Sequence, residues 1–251
     1  MGLIRKPFQG VFNIIRFNWH FYLIACLVVV CLLFFKHALP KQIQPFLFCL
    51  SIIIISTISN SLIISFYVYD FSDLYLLKWL PNLDKKQILN INAGFDETSE
   101  IIKGKFQNSE LTICDFYNPI NHTEVSIKRA RKAYPPLINT IHVTTNNIPF
   151  QDQSFDYIIA ILSAHEIRDE MERIQFFKEL NRITKLDGQI FVTEHVRDIN
   201  NFIAYTIGFL HFHSKSVWLS SFEKSNLKVK DVIKTTPFIT TFILEKNGDT
   251  L

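Results

Sequence analysis

Cysteine is scarce and unpatterned in this 251-residue chain: four residues, with no CxxC pair and no spacing that suits a metal. That excludes a disulfide framework and a cysteine-bound zinc. Cys26, Cys31 and Cys49 fall in apolar runs and Cys114 in a predicted strand. They read as small buried hydrophobes in a reducing compartment. Charge of one sign is also lacking. A formal net charge of +3 gives no basis for nucleic acid as a partner. The basic run from Lys128 to Lys132 reads as a solvated helix face that can touch anionic headgroups. No HxxxH or HExxH spacing occurs, so no metal site is expected. No small-residue cleavage site follows the first apolar run and a second run comes soon after, which argues against a cleaved signal peptide. There is no internal repeat and no low-complexity tract outside the apolar runs.

What is present divides the chain. Residues 21–35 and 46–69 carry no charge. Taken as spans of about 19–35 and 46–69, they make residues 1–69 a two-helix transmembrane hairpin and the lipid bilayer a partner. Arg5, Lys6, Arg16, Lys78, Lys85 and Lys86 flank the outer ends, against Lys36 and Lys41 in the loop. The positive-inside rule then puts the N-terminus and the folded domain on the cytoplasmic side. Residues 70–86 form an amphipathic joint, with Leu74, Leu77 and Leu80 at helical spacing and Trp79 suited to a membrane surface.

Residues 87–251 have soluble composition and alternate strand with helix. Strands are expected at Gln87–Asn92, Leu111–Cys114, Ile141–Val143, Tyr157–Leu162 and Gln189–Thr193. Two more, Lys228–Lys234 and Phe238–Glu245, close the chain as an antiparallel pair. Helices are expected near Glu97–Lys103, Val125–Ala133 and Asp169–Thr184. The fold class is α/β, a doubly wound, Rossmann-like, seven-stranded and mostly parallel sheet. Such sheets place ligand chemistry at the carboxyl ends of their strands. Those ends carry Leu162, Ser163, His165 and Glu166 after one strand, and Glu194, His195 and Arg197 after the next.

The first strand runs into Asn92-Ala93-Gly94-Phe95-Asp96, a small-residue turn before a helix, where a nucleotide-like ligand needs close backbone approach. Asp115, 21 residues past Gly94, ends the next strand, where a carboxylate can accept from ribose hydroxyls. With Thr144, Thr145 and Asn146 before Ile148-Pro149-Phe150, with Phe155-Asp156, and with Asp187-Gly188, these residues resemble the class I S-adenosylmethionine-dependent methyltransferases, small-molecule branch, over about residues 87–246. The resemblance implies S-adenosylmethionine as cofactor, held by Asn92, Ala93, Gly94, Phe95, Asp96, Asp115, Thr144, Thr145, Asn146, Leu162 and Ser163. It departs at Asn90, Asn92 and Asp96, which stand where that family has an acid and two glycines. The missing glycines also make a nicotinamide-dependent dehydrogenase the weaker reading.

Methyl transfer asks for a positioned acceptor and, where the acceptor carries a proton, a base. His165 and His195 are the candidate catalytic residues, and Glu194, Arg197, His211 and His213 the candidate substrate contacts. The HFHSKS segment, residues 211–216, must fold back over the sheet edge for its histidines to join the others. Apolar residues crowd the same region, Phe202, Ile203, Tyr205, Phe209, Leu210, Phe212, Val217 and Trp218. Together with the hairpin they predict a membrane-anchored methyltransferase acting on a small, lipid-soluble acceptor. The competing reading is a non-catalytic protein of the same fold that binds or scaffolds at the membrane.

Overall fold

The computed structural model describes residues 5–248. Residues 1–4 and 249–251, the outer ends of the hairpin and domain segments above, lie outside them. Two long helices come first, α1 (Gln9–Phe35) and α2 (Gln44–Phe66), joined through a short 3-10 turn. Both are long and apolar enough to cross a membrane, and they begin some residues earlier than the uncharged runs. Asn18 breaks α1 with φ −115°, its amide donating back to the Ile14 carbonyl at 3.1 Å. A side chain competing for a backbone acceptor is an ordinary cause of a kink. Before Asn18 the helix is docked, with Gly10, Asn13 and Phe17 buried; beyond it, Phe21, Ile24, Leu27 and Val30 are exposed.

The cysteine expectation is corrected here. Cys114 is buried, and burial followed by Asp115 pushes its thiol up to about 12. Cys26, Cys31 and Cys49 lie instead on outward faces of the hairpin. All four are free.

A π-helical turn, Tyr67–Phe71, ends α2 and aims the chain back at the start of α1. There Asp70 accepts from the Gly10 and Val11 amides at 2.7 and 2.8 Å. This carboxylate satisfies orphan N–H groups at a helix N-terminus, where the dipole also favours it. A Cβ on Gly10 would lie 2.4 Å from the Tyr69 Cβ, so only glycine permits this approach. The joint that follows is not the expected amphipathic helix. It makes a 3-10 turn, Leu74–Leu76, and then runs irregularly, with Leu74, Leu77, Leu80 and Leu83 buried. Trp79 packs on Phe191 of the sheet at 6.0 Å. Pro81 and the left-handed Leu77 (φ 49°) prevent a continuous helix.

The sheet domain alternates as the pattern predicts. Its strands are β1 (Gln87–Asn92), β2 (Glu110–Asp115), β3 (Thr140–His142), β4 (Phe155–Ile161), β5 (Thr184–His195), β6 (Leu227–Thr236) and β7 (Ile239–Lys246). The helices are α3 (Ser99–Lys105), α4 (Val125–Ala133), α5 (Glu170–Ile183), α6 (Ile199–Tyr205) and α7 (Lys215–Glu223). The order is β3-β2-β1-β4-β5-β7-β6, parallel through β5 and antiparallel at β7 and β6. β1, β4 and β5 are buried on both faces, as their near-continuous apolar runs require. One core packs Phe176, Phe177, Trp218 and Phe222 against one face, and a second packs the joint leucines and Phe106 against the other. The order reverses between β1 and β4, so a crevice opens at the carboxyl ends of these two strands.

Candidate active site

A cavity of about 570 Å³ occupies that crevice. Its floor is the end of β1, Asn90 to Ala93, with Phe95 and Leu162 beside it. Leu162 sits at φ 50°, a left-handed conformation unusual for a branched side chain and found where function holds the backbone. The opposite wall is the hairpin. Asn13, Phe17, Phe21 and Tyr22 of α1, Thr57, Ile58 and Ser61 of α2, and Tyr69 of the π-turn all line the space. The apolar hairpin therefore builds part of the site as well as extending from it. Phe17 packs on Phe95 at 5.5 Å, and the Tyr134 hydroxyl donates to Asn13 at 3.0 Å, so α4 and the turn after β1 hold α1 in place.

The turn after β1 has the features of a ligand cradle. Gly94 adopts φ +87° and its N–H donates to Asn92 Oδ1 at 2.8 Å. A Cβ there would lie 1.7 Å from Arg131 Nη1. Asp96 Oδ1 caps α3 through the Thr98 and Ser99 amides. Asn92 Nδ2 and Asp96 Oδ2 are buried without a hydrogen-bond partner, a donor and an acceptor that a polar ligand would satisfy. Asp115 is 1% exposed at the end of β2. It accepts from the Tyr117 amide at 2.8 Å and from Arg131 at 2.5 Å. Arg131 also stacks over Tyr117 at 4.4 Å. A ribose reaching Asp115 must take over the Arg131 contact. Gly94, Asp96, Asp115 and Asn92 share a small recess beside the main cavity.

Other expected cofactor contacts lie apart. Thr144 pairs with Asn147 across a turn, Thr145 donates to Glu172 at 2.8 Å, and Asn146 is exposed. Ser163 donates to the Ile91 carbonyl and ties β4 to β1. None of these four lines the cavity.

The HFHSKS segment does fold back over the sheet edge. The Arg197 amide donates to the His213 carbonyl at 2.9 Å, and Arg197 side-chain nitrogens reach the Leu210 and Phe212 carbonyls. Arg197 thereby fastens the segment. His165, His195, His211 and Phe212 line the cavity; Glu194, Arg197 and His213 do not. His213 packs on Trp218 at 5.2 Å, and burial with Arg173 and Arg168 pushes it down to about 3. Of the apolar cover, Tyr205 and Phe212 line the space, Trp218 belongs to the core, and Phe202, Ile203 and Leu210 face outward.

The two candidate catalytic histidines differ in kind. Asn201 Nδ2 donates to the Val196 and Phe238 carbonyls, each at 2.9 Å, which leaves its Oδ1 to accept from His195 Nδ1 at 2.9 Å. The proton is therefore assigned to Nδ1, and Nε2 accepts from the Tyr69 hydroxyl at 2.8 Å. Phe212 stacks on the ring at 4.5 Å, and burial holds His195 down to about 4, so it is neutral at physiological pH. For His165, burial works downward but is outweighed by Glu194 and Glu166, and the imidazole ends above its ordinary value. Glu194 is fully buried and accepts from His165 Nδ1 at 2.7 Å and from the Ser163 amide at 3.0 Å.

Tyr69, Tyr75 and Glu97 complete the wall, with Arg5 behind them. Arg5 pairs with Glu97 at 2.8 Å and lies 3.7 Å from the Tyr75 ring centre, while Tyr75 donates to the other Glu97 oxygen. Both Glu97 oxygens are thus committed within the protein. Asp70, which holds Tyr69 at the start of α1, was the one available sequence signal, as the first charge after a long neutral run.

A pH dependence of stability follows. His195 and His213 take up protons near 6.5 when unfolded, but only near about 4 and about 3 when folded. Below pH 6.5 the unfolded chain binds more protons, so stability complete above that pH falls as pH drops toward 4. His165, shifted upward, opposes this. Melting temperature in detergent should decline between pH 6.5 and 4, and less steeply in His213→Gln.

Residues 104–192 match the family described as "Methyltransferase domain". A ubiquinone/menaquinone biosynthesis C-methyltransferase of Bartonella tribocorum is 30% identical over 125 residues, which cover 47% of this chain and 45% of that protein. The chain thus spans less than half the length of this curated relative. Among solved structures, a SAM-dependent methyltransferase from Aquifex aeolicus superposes with a TM-score of 0.51 at 15% identity, over 67% of this chain and 86% of that one. The sheet domain has the class I methyltransferase fold. In this methyltransferase-fold domain the cradle after β1 and the carboxylate ending β2 occupy the positions that the sequence resemblance assigns to the cofactor, and the unpaired polar atoms there fit such a ligand.

Proposed function

We propose that the protein is a membrane-anchored, S-adenosylmethionine-dependent methyltransferase for a small, lipid-soluble acceptor. One observation carries the reading: a single cavity joins the end of β1 to the gap between the two apolar helices. Asn92, Gly94 and Asp115 would hold the cofactor, which supplies a methyl group already activated on a sulfonium. This chain's residues then have to place the acceptor and exclude water. The acceptor lies toward Phe21, Tyr22, Thr57 and Ile58, where the wall is mostly apolar. The neutral His195 is committed to Asn201 and to Tyr69, so it fixes the Tyr69 hydroxyl, whose oxygen accepts from a hydroxyl of the acceptor, and His165 stands on the same side. A conjugate acid near 4 is a weak store for a proton, so His195 acts by orienting the Tyr69 hydroxyl rather than by holding the acceptor's proton.

Exposed Ile199, Ile203, Ile207 and Leu210 lie around α6, which α2 touches through Asn60 donating to the Ile203 carbonyl at 2.7 Å. This apolar surface continues that of the hairpin and supports docking of the domain against the bilayer. The charge asymmetry supports a cytoplasmic domain and N-terminus. Two experiments test the proposal. Purified protein with methyl-labelled S-adenosylmethionine should label an organic-soluble product from a membrane extract; label remaining wholly in the aqueous phase would refute the acceptor class. Protease added to sealed inverted vesicles should digest the domain, whereas protection would reverse the topology.

A further inference from the structure

His165, Glu166 and His211 each offer a ligand atom, all within 4.8 Å of one another, on one wall of the cavity. They come from two chain segments. His165 and Glu166 form the 3-10 turn after β4, and His211 ends the 3-10 segment Thr206–His211 that folds back over the sheet edge. Such a cluster is invisible to motif spacing, which explains why the sequence leads to an expectation of no metal.

Two independent features set this group apart from an ordinary ion-pair network. The first is the support of His165. With Nδ1 donating to the buried Glu194, its Nε2 is the nitrogen that faces Glu166 Oε1, 3.5 Å away. A carboxylate behind one nitrogen, fixing the tautomer and directing the other at an ion, is the usual support of a metal-binding histidine. The second is Glu166 itself. It is 6% exposed, and its Oε2 is buried with no hydrogen-bond partner. A covered carboxylate oxygen without a donor is costly to bury, and a cation held against it would offset that cost. His211 Nδ1 lies 3.3 Å from Glu124 Oε1, a second carboxylate on the cavity wall. Arg168 now lies against the His211 ring and donates to its carbonyl, so a cation entering here competes with this guanidinium.

We propose that His165, Glu166 and His211 bind one divalent transition-metal ion of the zinc class, with its open position facing the acceptor chamber. Two imidazoles and one carboxylate with a side left open is the donor set of a catalytic rather than a structural zinc. The open position takes an oxygen-bearing acceptor, a hydroxyl or carbonyl compound. This last clause rests on the proposed function, whereas the site itself does not.

The test therefore uses neither cofactor nor acceptor. Full-length protein in detergent, stripped with chelator, is titrated with Co²⁺ and then with Zn²⁺. One equivalent of Co²⁺ should give visible d–d bands of low coordination number, and Zn²⁺ should abolish them. Glu166→Gln and His211→Asn should each weaken binding at least tenfold. Glu194→Gln, which removes only the support behind His165, should weaken it by roughly ten- to a hundredfold. The exposed His142 provides the control, and His142→Gln should leave the bands and the affinity unchanged. Wild-type protein with no Co²⁺ bands and no Zn²⁺ heat would overturn the proposal without any variant having to fold. Bands persisting at full affinity in both Glu166→Gln and His211→Asn would also overturn it. If the metal binds as described but no substrate is methylated, the site stands and the proposed function fails.

Discussion

Replacing Asp115 with alanine should weaken S-adenosylmethionine binding by roughly ten- to a hundredfold, the loss of two charge-assisted hydrogen bonds to a ribose. The carboxylate is almost fully covered, one β-residue across from Asn92 in the parallel register of β1 and β2. In the protein alone it is occupied by the Tyr117 amide and by Arg131. Its removal also frees that guanidinium, which lies over Gly94 and would keep only its stacking on Tyr117. Titration calorimetry on the full chain in detergent reads the effect directly. Affinity unchanged within twofold would mean that the cofactor is held away from the end of β2. Asp115→Asn, which keeps an acceptor at the same place but loses the charge, should fall between the two.

Replacing His195 with alanine should lower turnover by about a hundredfold or more while leaving cofactor affinity within about twofold, since it fixes the Tyr69 hydroxyl on the acceptor side and touches no expected cofactor contact. The geometry gives this prediction a partner. Tyr69→Phe removes the hydroxyl that donates to His195 Nε2, and it should act in the same direction. If the two work as one unit, the double variant should be no slower than His195→Ala alone. Independent, multiplying losses would show that Tyr69 acts elsewhere. A His195→Ala variant with unaltered turnover would leave His195 as a buried support for Asn201 and Phe212 only.

The domain was legible in the sequence because its signals are local. Period-two and continuous apolar runs mark strands, and charged amphipathic stretches mark helices. Thus β1 and α4 fall at the expected residues, and the remaining strands shift only at their ends. The turn at Asn92–Asp96 and the acid at Asp115 were legible for the same reason, since each sits at a strand end that the pattern itself defines. The apolar hairpin was equally plain as a pair of long uncharged runs.

What the hairpin does at the site was not legible, because it depends on contacts far apart in the chain. Asp70 meets Gly10 across sixty positions, and the kink at Asn18 divides α1 into a docked part and an exposed part. Only this arrangement brings Tyr69 to His195. The histidines show the same limit. Sequence puts four of them near one sheet edge, but the way Arg197 fastens the returning segment decides which face the cavity: His211 turns in and His213 packs on Trp218. Periodicity records which residues are buried, through the hydrophobic effect on each element. Which polar groups meet is decided by side-chain contacts between elements, and these exist only once the fold has closed.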